Sequence, residues 1–122
     1  MSQILHWVEL PKQNVERATS FYSSVLKINL SVMEAVGMKT TFFSHSSTTQ
    51  TGGCLMQSTA YVPSDKGSII YFNGGSDLHN TLNRVEKARG KILLPKTSLG
   101  QNEFMAHILD SEGNRVGLHA KK

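Results

Sequence analysis

The stretch Ile4–Leu30 restricts most what this chain can fold into: ILHWVEL, a short polar link, then NVERATSFYSSVLKINL. Its first part alternates as a strand, with Leu5, Trp7 and Glu9 on one face and His6, Val8 and Leu10 on the other. Its second part is patterned as a helix. Asn14 is a good N-cap, Val15 and Glu16 open the first turn, and Val15, Ala18, Tyr22, Val25 and Leu26 line one side. A strand feeding an amphipathic helix implies a sheet with helices stacked on one face. The other face is left to hold something, and Trp7 and Glu9 point there if Val8 and Leu10 pack on the helix.

The rest of the chain repeats this order. Leu30–Ala35 and Met38–Ser44 read as strands joined by a turn at Val36-Gly37. Ser44–Gly53 is a polar, turn-rich loop, and Cys54–Ser58 is a short apolar strand. After an extended link, Ser68–Phe72 is a strand. A helix follows from about Ser76 or Asp77 to Arg89, with Gly90 as its stop. Lys91–Leu94 is a strand ended by Pro95, and the segment PKTSLGQNE reads as a loop. Phe104–Leu109 and Arg115–His119 pair across the turn Asp110-Ser111-Glu112-Gly113. The expected fold is therefore α+β: two βαβββ modules, residues 1–58 and 68–122 with a linker at 59–67, forming a curved mixed eight-stranded sheet with helices on its convex face.

Size and charge narrow the function. A chain of 122 residues makes one domain with a real core. The net charge of +4 invites a nucleic-acid reading, but the basic residues are spread along the chain rather than gathered, so no nucleic-acid partner is expected. No apolar run is long enough to span a membrane and no signal-peptide pattern opens the chain, so a cytoplasmic protein is expected. The single cysteine, Cys54, cannot form an internal disulfide, in keeping with a reducing compartment.

The arrangement, with Phe21-Tyr22 followed by Val25-Leu26 and the closing Asp110-Ser111-Glu112-Gly113-Asn114-Arg115-Val116, resembles the vicinal oxygen chelate superfamily of glyoxalases, bleomycin-resistance proteins, fosfomycin-resistance enzymes and extradiol dioxygenases. The closing run resembles that superfamily's D-x-x-G-N hairpin. The start Trp7-Val8-Glu9-Leu10-Pro11 and the late Pro95-Lys96-Thr97 are most similar to its small bacterial members of unassigned function. A glycine often follows the Val-Leu pair in the family; here it is Lys27. The resemblance implies a homodimer with a concave cleft and, in metal-using members, His, Glu or Gln ligands on four strands. Those positions fall here on Trp7, a residue near Leu55–Gln57 of which only Gln57 could ligate, Ser68 or a close neighbour, and Gly117. No metal ligands and no cofactor are therefore expected.

Glu9 is the first candidate for chemistry, because a carboxylate two residues after Trp7 on one face would be partly desolvated there and suited to general-base work. His119 shares the phase of Gly117 and would face the same cleft as a second catalytic or orienting group. Trp7, Phe43, Met56 and Phe72 are candidates to line an apolar ligand pocket, and Lys96 on a rim loop to meet an anionic ligand group. His6 is expected to face the helix layer. His107 is expected to be packed or on the surface, and His45 and His79 to be solvated. The leading expectation is metal-independent binding of a small, partly apolar molecule in the cleft. The alternative is a lyase, isomerase or dioxygenase acting on vicinal oxygens, with Glu9 abstracting a proton while a divalent ion, held partly by His119 and Gln57, stabilises the enediolate. A structural or partner-binding domain is the third reading.

Overall fold

A computed structural model describes residues 4–35, 37–44 and 51–122. Val36, His45 and most of the polar loop after Ser44 lie outside the described residues, although Gly37 is seen in the left-handed conformation expected of a turn. The first module runs β1 (Trp7–Pro11), α1 (Val15–Leu26), β2 (Ser31–Ala35), β3 (Met38–Ser44) and β4 (Gly52–Met56). The second runs β5 (Tyr71–Asn73), α2 (Leu78–Lys87), β6 (Lys91–Gly100), β7 (Glu103–Leu109) and β8 (Arg115–Ala120). The strands hydrogen-bond as two mixed four-stranded sheets, in orders β1-β4-β3-β2 and β5-β8-β7-β6. In both, the first strand runs parallel to the last. No helix among the described residues is long and apolar enough to cross a membrane.

Each helix starts at a side-chain cap. Asn14 Oδ1 accepts from the Arg17 amide at 2.9 Å, and Asp77 Oδ1 accepts from the His79 amide at 3.0 Å. The helices bury Ala18, Phe21, Tyr22 and Val25 of α1 and Leu78, Leu82 and Val85 of α2 against one face of the sheets. There they meet Leu10, Leu55, Ala106, Ile108, Val116 and Leu118. Alternation then sends Trp7 and Glu9 of β1, and Arg115, Gly117 and His119 of β8, to the opposite, open face.

Helix α1 ends on Lys27, which takes the left-handed conformation (φ 54°, ψ 50°) that suits glycine. Lys27→Gly is expected to stabilise the protein by about 0.5–1 kcal/mol, less than the full steric cost of the left-handed state because glycine also loosens the unfolded chain. A urea midpoint no higher than that of the wild type would contradict this. Helix α2 does not stop on Gly90. Its cap is Ala88, and Arg89 takes the positive φ of 73°. Gly90 is needed for a different reason, since a Cβ there would lie 2.6 Å from the Phe21 ring and 2.9 Å from the Leu109 carbonyl oxygen.

Several strand boundaries differ from the sequence pattern. β4 begins at Gly52 because it pairs residue by residue with β1, from Trp7 opposite Gly52 to Pro11 opposite Met56, and this leaves Gln57 and Ser58 outside. β5 is confined to Tyr71–Asn73, the part that pairs with β8. β6 continues through Pro95 to Gly100, because it is an edge strand whose ladder to β7 is broken between Leu94 and Thr97, where the missing N–H does no harm. β7 starts at Glu103 across the two-residue turn Gln101-Asn102, both at positive φ (54° and 60°), as a tight hairpin requires.

The β7–β8 turn clamps the two modules together. Asp110 Oδ1 accepts from the amides of Glu112 and Asn114, both at 2.9 Å. Its Oδ2 accepts from Tyr22 Oη at 2.5 Å and Asn114 Nδ2 at 3.0 Å. Asn114 Nδ2 also donates to the Pro11 carbonyl at 2.8 Å. Next to this, Glu112 accepts from the Gln13 and Asn14 amides at 2.7 and 2.8 Å and from Arg17 Nε at 2.8 Å. Burial opposes the Glu112 charge, but these donors outweigh it and hold the carboxyl below the usual range. Tyr22 is fully buried. Desolvation, then the charge of Asp110, raises its phenol well above the ordinary value and keeps it a donor.

Candidate functional site

On the open face of the first sheet, Trp7 lies beside Phe42, with ring centroids 6.2 Å apart, and its side chain hydrogen-bonds the thiol of buried Cys54. Burial, then the charge of Glu9, pushes that thiol up, and the Trp7 hydrogen bond only partly offsets them. Glu9 is exposed, and its Oε1 accepts from Tyr61 Oη at 2.8 Å. Desolvation first, then this bond to a carboxylate, pushes the Tyr61 phenol up to about 12. Met56 is half-buried at the end of β4.

Phe43 and Phe72 occupy the other side. Phe43 packs on Tyr22 at 5.2 Å and on Phe72 at 5.1 Å, within the core cluster. The ring beside Trp7 is that of Phe42. The register of β3 on β4 shifts between Phe42 and Ser44, and Thr41, which shares the phase of Phe43, bonds Thr19 of α1 at 2.8 Å. Phe43 and Phe72 do line an apolar groove of about 500 Å³ with Val8, Ile69 and Ile70, at the seam between β1 and β5. Lys96 stands in β6, not in a loop, with Nζ 4.5 Å above the Phe104 ring. His6 precedes β1 and is exposed rather than facing the helices, and His79 is exposed on α2 as expected.

The open face of the second sheet carries a group that sequence reasoning did not single out. Tyr71 lies over Gly117, where a Cβ would fall 2.3 Å from the phenol ring. Its hydroxyl is 2.7 Å from His107 Nε2, and His107 Nδ1 is 3.1 Å from Arg115 Nη1. The signal was present in the chain: His107 alternates with Ala106 and Ile108, both buried, and so must face away from the core. His119 Nε2 is hydrogen-bonded to Glu103 Oε1 at 2.6 Å and, with Tyr71, Asn73, Lys121 and Lys122, borders an open pocket of about 630 Å³.

The resemblance to metal-using relatives puts their ligand positions at Trp7, near Leu55–Gln57, at Ser68 or a close neighbour, and at Gly117. Trp7 stands in register with Gly52 and Gly117 with Tyr71, and Ser68 lies three residues before β5. An indole and a glycine offer no ligand atom to a divalent ion. Among the described residues there is no group of three or more His, Cys, Asp or Glu placed to hold one.

No curated protein matches the chain in sequence. Several solved structures share its fold. The chain superposes on a glyoxalase-related enzyme from Fulvimarina pelagi with a TM-score of 0.71 at 11% identity, covering 97% of this chain and 88% of the other. The antibiotic binding protein TnmS3 from Streptomyces sp. CB03234 gives 0.68 at 16% identity, covering 97% and 95%. The fosfomycin resistance protein FosX from Listeria monocytogenes gives 0.66 at 14% identity, covering 98% and 93%. The family profile described as Glyoxalase/Bleomycin resistance protein/Dioxygenase superfamily matches residues 4–118, almost the whole length of the two modules, and the chain belongs to that superfamily.

Proposed function

We propose that this protein binds a small, planar, partly apolar molecule on the open face of its sheets, without a metal ion. The observation that carries the reading is that each module sets an aromatic side chain of its first strand in register with a glycine of its last, Trp7 with Gly52 and Tyr71 with Gly117. A ring beside a residue with no side chain offers a flat apolar platform, which suits stacking and not chelation. Around these platforms Glu9–Tyr61 and His119–Glu103 supply polar groups that orient a ligand. The antibiotic-binding neighbour with the same fold supports this assignment. The reading includes a homodimer, for which the exposed Val32 and Met33 on the outer strand β2 offer an apolar edge.

Trp7 is the sole tryptophan, so its fluorescence reports directly on one platform. Screening planar aromatic compounds is expected to yield ligands that change this fluorescence, equally in the presence of a chelator. Trp7→Ala, followed by calorimetry, is expected to weaken such ligands by roughly tenfold, the scale of a lost stacking contact. Ligands that bind with Trp7 emission unmoved and with undiminished affinity for the Ala variant would place the site elsewhere.

A further inference from the structure

The hydrogen-bond chain on the second sheet has only one consistent direction. A guanidinium donates and cannot accept, so His107 Nδ1, 3.1 Å from Arg115 Nη1, must present its lone pair. A neutral imidazole then carries its proton on Nε2, and that N–H donates to Tyr71 Oη at 2.7 Å. The phenol oxygen is thereby an acceptor towards His107, and its own hydrogen is left to be given to a third group.

The other contacts fix this direction. Arg115 is held from the linker side, where its Nε donates to the Asp65 carbonyl at 3.1 Å and its backbone amide to the Ser64 carbonyl at 3.1 Å. The Tyr71 ring rests against Gly117, and the residue is 47% exposed, so a ligand can reach the hydroxyl. Burial, then the charge of Arg115, lowers the His107 imidazole below its ordinary value, in keeping with a single ring proton at neutral pH. The pocket beside Tyr71 is bordered by Lys121 and Lys122 and by His119, whose Nε2 lies 2.6 Å from Glu103 Oε1.

We infer that the Tyr71 hydroxyl is a directed hydrogen-bond donor to an acceptor oxygen, a carboxylate or carbonyl on the edge of a planar ligand, with His107 and Arg115 as the positioning residues that set its direction. This rests on the cleft-binding reading above and adds the ligand's chemical class to it. An aromatic carboxylate fits better than a bare hydrocarbon, because the oxygen meets a donor that is already oriented and the adjoining pocket is bordered by two lysines.

Two measurements test it. The first needs no ligand: long-range nitrogen–proton correlation spectra of uniformly labelled protein, assigned with His107→Gln, report the ring tautomer near neutral pH. The Nε2–H tautomer is expected, and a proton on Nδ1 overturns the inference whatever the protein binds. The second compares 2-naphthoate with 2-methylnaphthalene on the wild type and on Tyr71→Phe, which keeps the ring. Tyr71→Phe is expected to weaken 2-naphthoate about tenfold, the size of one charge-assisted hydrogen bond, and to leave 2-methylnaphthalene unchanged. If both probes bind the wild type and the variant treats them alike, the cleft stands and the role of Tyr71 fails. If neither binds the wild type, the cleft reading fails and takes this inference with it.

Discussion

Asp110→Ala is expected to cost about 3–5 kcal/mol of stability. The carboxylate is 4% exposed and takes four hydrogen bonds, from Tyr22 Oη, Asn114 Nδ2 and the amides of Glu112 and Asn114. Alanine leaves these donors buried without an acceptor, at roughly 1–3 kcal/mol each before relaxation and water entry. Asn114 alone keeps a second acceptor, the Pro11 carbonyl. For a domain of this size the loss corresponds to roughly 12–20 °C in Tm. Asp110→Asn retains one acceptor oxygen but turns an amide NH₂ towards Asn114 Nδ2, so it should cost less, about 1–3 kcal/mol. Thermal and urea unfolding of both variants checks the order. A loss below about 1 kcal/mol for the alanine variant would mean that the clamp is not what joins the turn to α1.

Gly90→Ala is the second large effect, with an expected loss of about 2–3 kcal/mol from overpacking. The φ of Gly90 is unremarkable, so the cost is spatial rather than conformational. The new methyl would lie 2.6 Å from Phe21 Cε1 and 2.9 Å from the Leu109 carbonyl oxygen. The carbonyl belongs to a β7 residue paired with Lys91 and cannot retreat, and Phe21 is 2% exposed within the core. Phe21 is thus the side that must yield. Adding Phe21→Leu should recover part of the loss, so the double variant is expected to be less destabilised than the sum of the singles. Strict additivity in urea unfolding would show that the two residues do not compete for the same space.

Both cases turn on motifs that the chain announces and contacts that it does not. Phe21-Tyr22 and Asp110–Asn114 are each visible as local patterns, one on a helix face and one in a hairpin turn. That the Tyr22 hydroxyl reaches Asp110 across 88 positions is a fact of tertiary packing. The candidate site divides in the same way. Alternation alone puts Trp7 and Glu9 on one face, and the burial of Leu10 in the core makes that face the open one. Phe43 lines the apolar groove while the ring beside Trp7 is that of Phe42, since a register shift in β3 is invisible to a pattern of apolar residues. Tyr71, His107 and Arg115 sit on three different strands, and no spacing in the chain marks them as neighbours.

The amino-acid order settled the two helices and the Asn14 cap, the doubled module and the family, because N-caps, turns and periodicity are decided by residues within a few positions of one another. It also settled which positions alternate with which. The tertiary structure decided where each strand starts, by pairing β4 to β1 and β5 to β8, and so which phase meets the helices. It alone aligned the guanidinium, imidazole and phenol, since the direction of a hydrogen-bond chain exists only once its members touch.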